Sequence, residues 1–79
     1  MNKSVHLGPA VRKRRERLGL SQEDLASRSG LDRTYVSGIE RGVRNPTLKI
    51  LIRLATALEL NLSELVSLAE GAAFSRAER

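Results

Sequence analysis

Arg33, Thr34, Tyr35 and Ser37 bring together the donors, acceptors and apolar atoms that can read the edge of a base pair. An arginine gives two parallel hydrogen bonds to guanine O6 and N7, a contact that discriminates by roughly 1–3 kcal/mol. Thr34 offers its hydroxyl to a base or its methyl to thymine. Tyr35 can stack or hydrogen-bond near a phosphate; its plainer alternative is a half-buried aromatic on the lip of the domain. The four fall at the start of a short amphipathic stretch, and side chains there reach base edges when a helix docks in the major groove. Gln22 opens the preceding stretch, where free backbone N–H groups and the positive end of the helix dipole favour a phosphate. Plain helix surface is the alternative for Gln22.

Holding those side chains in place requires two crossed helices, and QEDLASRSGLDRTYVSGIER, from Gln22 to Arg41, supplies the pattern. Ala26 is small where the pair must touch. Gly30 stands at the turn, where a positive φ costs glycine nothing. Leu25, Leu31, Val36 and Ile39 point inward at helical spacing, which makes the stretch a helix-turn-helix. Gly38 is out of place by propensity, since glycine inside a helix costs roughly 1 kcal/mol against alanine. Close approach of another helix or of DNA would explain it.

Three further helices frame the motif. One runs from about Leu7 to Leu18, with Pro9 tolerated in its first turn and Gly19 as its stop. Ser21 caps the second helix and Asp32 caps the third, which closes at Gly42. Thr47 caps a fourth, roughly Leu48 to Glu59, that is apolar on most sides and is therefore expected at the centre of the core. A fifth follows an Asn61 or Ser63 cap and carries Leu62, Leu65, Val66 and Leu68. The fold expected is all-α and a single domain over residues 1–79, with an ordered core of about 7–70 and a frayed tail over 71–79.

Composition narrows the chemistry. The chain has no cysteine and one histidine, His6, so thiolate or multi-histidine metal sites and imidazole catalysis lack material. No nucleophile–base pair can be assembled from its dispersed acids, and neither an enzyme nor a cofactor is expected. No run approaches the roughly 20 apolar residues of a membrane span, and a cytoplasmic protein is the plain expectation. Lys3, Arg12, Lys13, Arg14, Arg15 and Arg17 face Glu16 alone over residues 1–20, and that segment holds the whole net charge of +5. Such a cluster suits phosphate contacts, although a solvated helix face accounts for it about as well.

From about Leu7 to Leu65 the chain resembles the Xre/Cro-like family of bacterial and phage transcriptional regulators. Within that span LDRTYVSGIERGVRNPT is similar to the controller proteins of restriction-modification systems. The resemblance implies a compact five-helix lambda-repressor-like domain that binds double-stranded DNA. It gives Gln22 a contact with the DNA backbone or a base, and Arg44 and Asn45 contacts with phosphates. Arg41 and Arg12 are further phosphate candidates, groups that position a protein without specifying sequence. It also implies a structural ion pair between Arg15 and Glu40 that ties the first helix to the third.

One recognition helix reads few base pairs, so two related by a twofold axis are expected to read a palindrome. Asn61, Leu62, Leu65, Val66, Leu68 and Ala69 are the residues expected at a homodimer contact; packing wholly within the monomer is the alternative. The leading reading is a transcriptional regulator without a small-molecule ligand, a restriction-modification controller in particular, which could touch RNA polymerase when bound upstream. An antitoxin-type autoregulator and a protein-interaction module of the same fold are the alternatives.

Overall fold

The computed structural model describes residues 6–77, with side chains to Gly71, and within them the chain is all helix and turn. The helices are α1 (Leu7–Arg17), α2 (Gln22–Ser29), α3 (Arg33–Arg41), α4 (Leu48–Ala57) and α5 (Leu62–Ala77). Helix α1 packs on α5 and α3, α2 on α3 and α4, and α4 on α5, so the five close around one core. Val11, Leu25, Val36, Ile39, Leu54, Leu58 and Leu65 are its fully buried large side chains, with at least one from each helix or its cap.

Local sequence sets most boundaries. Ser21 Oγ accepts from the Asp24 N–H at 2.9 Å, and the Asp24 carboxylate accepts from the Ser21 N–H at 2.9 Å, a reciprocal capping box. Asn61 and Glu64 repeat that exchange at the start of α5, at 2.8 and 2.9 Å. Thr47 Oγ1 accepts from the Ile50 N–H at the start of α4. Asp32 differs from expectation: it occupies the cap position of α3 with extended backbone, yet its side chain makes no capping bond. At the other ends Gly30 is left-handed, with φ +71°, and the Leu31 N–H reaches the Ala26 carbonyl at 3.0 Å, closing α2. Glu59 takes the same conformation after α4, with φ 63°, the one described non-glycine residue to do so.

Hydrogen bonding to its carboxylate from Ser21, by the backbone N–H foremost and then by the side chain, holds the Asp24 carboxyl below the ordinary aspartate value. A depressed folded value means that the contribution is complete above the unfolded value of about 3.9 and is lost as pH falls through the folded one. The melting-point gap between the parent and Asp24→Ala is therefore expected at neutral pH and closes in acid. An unchanged gap in acid would show that the carboxylate does not hold the cap.

Helix α4 departs from the expected central position. Leu54, Ala55, Ala57 and the capping Leu58 are buried, but Leu48 is 62% and Ile52 47% exposed. Among the described residues α4 packs mainly on α2 and α5, and Leu48 and Ile52 lie on the side those helices leave uncovered. Helix α5 runs on through Gly71 to Ala77, where fraying was expected; residues 78–79 of the expected tail lie outside the described residues. No helix among the described residues is long and apolar enough to cross a membrane.

Arginines from neighbouring helices close the ends of α2 and α4. Arg53 of α4 donates to the Ser29 and Gly30 carbonyls at 3.0 and 2.8 Å. Arg14 of α1 donates to the Leu58 carbonyl at 2.9 Å. These carbonyls lie at the negative ends of α2 and α4, where a cation is favoured.

Candidate nucleic-acid interface

The turn at Gly30 sets α2 against α3 and leaves the start of α3 outside the core. Arg33 and Thr34 are exposed there, while Tyr35 and Ser37 are half-buried. Val36 and Ile39 lie on the opposite side of α3 and are fully enclosed, so burial of one face presents the other. Arg33 and Tyr35 also have partners. The Arg44 guanidinium lies 5.9 Å from the centre of the Tyr35 ring, within range of a cation–π contact. Tyr35 itself packs on the core, so its half-buried ring lies between the core and the Arg44 side chain.

Gly38 owes its place to the chain that follows α3. A Cβ there would meet Arg44 Cγ at 2.5 Å and Val43 Cγ2 at 3.5 Å, and the Val43 N–H bonds the Gly38 carbonyl at 2.9 Å. The close approach is therefore that of the Val43–Arg44 turn. Glycine at this point lets the turn fold back on α3 and bring Arg44 to Tyr35.

Behind this surface lies a buried polar group. Arg15 sets Nε and Nη2 on the two carboxylate oxygens of Glu40, at 2.7 and 3.1 Å, and Nη1 on the Leu20 carbonyl at 2.7 Å. The side chains are 11% and 4% exposed. Hydrogen bonding to Glu40 raises the Arg15 pKa above its ordinary value, against the opposing effect of burial. The Glu40 carboxylate also accepts from Gln22 Nε2 at 3.0 Å, and Gln22 Oε1 accepts from Arg33 Nη1 at 3.4 Å.

The remaining candidates are spread. Arg44 and Asn45 are exposed beyond α3. Arg41 is exposed in the last turn of α3, about 12 Å along the axis from Arg33. Arg12 lies on α1 in an exposed ion pair with Glu16 at 3.2 Å. In the basic first helix Arg14 and Arg15 are taken up by protein carbonyls and Glu40, which leaves Lys13 and Arg17 exposed beside Arg12.

Leu65 and Ala69, expected at a dimer contact, are fully buried within the protomer, because α5 turns them onto the core. Asn61 caps α5. Leu62 and Val66 are half-buried and Leu68 is 45% exposed, so these keep surface. Two contributors escaped the sequence. The bond from Gln22 to Glu40 crosses two helices and leaves no mark in spacing. Gly8 is buried where α1 crosses the end of α3, and its only signal is a glycine in the first turn of a helix. Among the described residues no cluster of His, Cys, Asp or Glu could hold a metal ion.

A five-helix domain that encloses one face of its third helix and offers arginine and hydroxyl groups at that helix's start is a helix-turn-helix DNA-binding unit. Residues 11–65 match the helix-turn-helix family, and the chain belongs to it, as an Xre-like transcription regulator. It is similar to the control protein C.MunI of Mycoplasma sp, with 44% identity over 64 residues covering 80% of this chain and 86% of that one. It is similar also to the control protein C.SmaI of Serratia marcescens, with 48% identity over 61 residues covering 77% and 73%. Among solved structures, the restriction-modification controller protein C.AhdI of Aeromonas hydrophila superposes with a TM-score of 0.74. Identity there is 52%, over 77% of this chain and 92% of that one.

Proposed function

We propose that the protein is a sequence-specific transcriptional regulator that binds a short palindromic operator as a homodimer. The operon it regulates is that of a restriction-modification system. One observation carries the reading: Arg33 and Thr34 stand exposed at the start of α3, with donors and acceptors turned away from a helix whose other face is buried. The similarity to three control proteins of such systems supports the choice of operon. Arg44 and Asn45, with Arg41 and Arg12, are assigned to phosphates, which fix register. In a dimer two copies of α3 would enter successive major grooves about 34 Å apart. Leu62, Val66 and Leu68, joined by Leu48 and Ile52, supply the apolar surface for the dimer contact.

A gel-shift with duplex DNA from just upstream of the gene, against a scrambled duplex, tests the reading. Tight binding upstream is expected, and Arg33→Ala is expected to weaken it by about 1–3 kcal/mol for each guanine read, towards the scrambled level. Equal affinity of the parent for both duplexes would remove the proposal. Sedimentation of the free protein at micromolar concentration is expected to give a dimer, and a monomer there would remove that part.

A further inference from the structure

Gln22 joins two groups that the motif needs for different reasons. Its Nε2 donates to Glu40 Oε1 at 3.0 Å, and its Oε1 accepts from Arg33 Nη1 in a long bond of 3.4 Å. Chemistry forces that orientation, because an ionised carboxylate only accepts and a guanidinium only donates. A side-chain amide carries a donor at one corner and an acceptor at the other, so it bridges anion and cation without adding charge. Glu40 is itself fixed by the two-pronged bond from Arg15 and is only 4% exposed at its side chain. Rigidity therefore runs outward, from the Arg15–Glu40 pair through Gln22 to Arg33. Arg33 is exposed, and an arginine in that position otherwise has many rotamers open to it. One N–H on Gln22 leaves enough donors for a paired contact with a guanine.

The geometry points to Gln22, anchored by Glu40, as a positioning residue for base readout. It holds the Arg33 guanidinium on the line along which it meets guanine, and Glu40 thereby sets sequence preference without touching DNA. This rests on the reading of Arg33 as a base-reading residue. It differs from a phosphate contact by Gln22, which would strengthen binding to every sequence alike.

Duplexes selected by the parent protein from a random-sequence pool supply the site, and competitors altered at each guanine measure the preference. The guanine whose preference disappears in Arg33→Ala is the one that Arg33 reads. At that position Gln22→Met, which keeps side-chain length and leaves the Arg15–Glu40 pair whole, is expected to lose about tenfold of the preference. The Gln22→Met/Arg33→Ala double variant is expected to lose no more than Arg33→Ala alone. Gln22→Glu keeps an acceptor for Arg33 but sets two carboxylates against each other, and it is expected to lose the preference as well. Thermal melts of each variant separate these losses from unfolding.

Parental preference in Gln22→Met overturns the proposal. So does a loss that is equal for all duplexes and additive with Arg33→Ala, which would make Gln22 a phosphate contact. Preference kept by Gln22→Glu overturns the part given to Glu40. A parent that enriches no sequence from the pool overturns the reading of Arg33 itself, and the proposal with it.

Discussion

Glu40→Gln is expected to unfold roughly 12–24 °C below the parent, from a loss of about 3 kcal/mol in a domain of this size. The Glu40 side chain is 4% exposed and that of Arg15 11%, so solvent screens the pair little. Arg15 directs Nε and Nη2 at two carboxylate oxygens, and Gln22 directs a third donor at the same group. A glutamine offers one acceptor there and turns an N–H₂ towards those donors, while the Arg15 charge stays enclosed without a counter-charge. Breaking one half of a buried pair costs more than replacing both halves with apolar groups. Arg15→Met/Glu40→Leu is accordingly expected to melt above Glu40→Gln. Thermal denaturation of the three proteins decides the matter: a parental midpoint for Glu40→Gln would show that the pair carries no stability.

The second large effect is expected at a residue with no side chain. Gly8→Ala is expected to cost about 3 kcal/mol, the upper end of ordinary overpacking. A Cβ on Gly8 would lie 2.8 Å from the Ile39 carbonyl oxygen, with the Glu40 carbonyl oxygen nearer still. Both obstacles are backbone, and no rotamer change moves them. The start of α1 would have to lift from the end of α3, opening a seam beside Val11 and Ile39. Gly71 is the control, because a Cβ there meets nothing within 4 Å although the residue is helical. Gly71→Ala is expected to gain up to about 1 kcal/mol by helix propensity alone. Urea unfolding of the two variants measures both; a Gly8→Ala midpoint equal to the parent's would mean that the helices part without cost.

The contrast between those glycines shows where the sequence stops being readable. Gly30 and Gly42 announce themselves because helix endings are local, set by a few consecutive residues. The same holds for the caps at Ser21 and Thr47, and for the burial of Val36 and Ile39 opposite Arg33. Asp32 shows the limit of such rules: it has the right residue type at the right position, yet forms no capping bond. Gly8 matters for what lies across from it, and spacing along α1 says nothing of that. Arg14 and Arg15 look like the other basic residues of α1 in any count of charge. What separates them from Lys13 and Arg17 is the side of the helix they occupy, which depends on where α3 and α4 end. The apolar character of α4 was visible, but not that Leu48 and Ile52 would be left outside. A pattern of apolar residues records a need for cover and does not say whether the same chain supplies it.

The bond from Arg53 to the end of α2 bears on how far the motif can be moved. The left-handed turn at Gly30 has two of its carbonyls held by a guanidinium from α4, and one nitrogen of that group fills the space a Cβ would take. The 20 residues from Gln22 to Arg41 are thus not a self-contained module. Cut out as a peptide, or transplanted onto another scaffold, they would lose this tether along with Arg15 from α1. Two helices of eight and nine residues are too short to persist alone in water. A chimera meant to carry this chain's recognition surface therefore has to bring α1 and α4 with it.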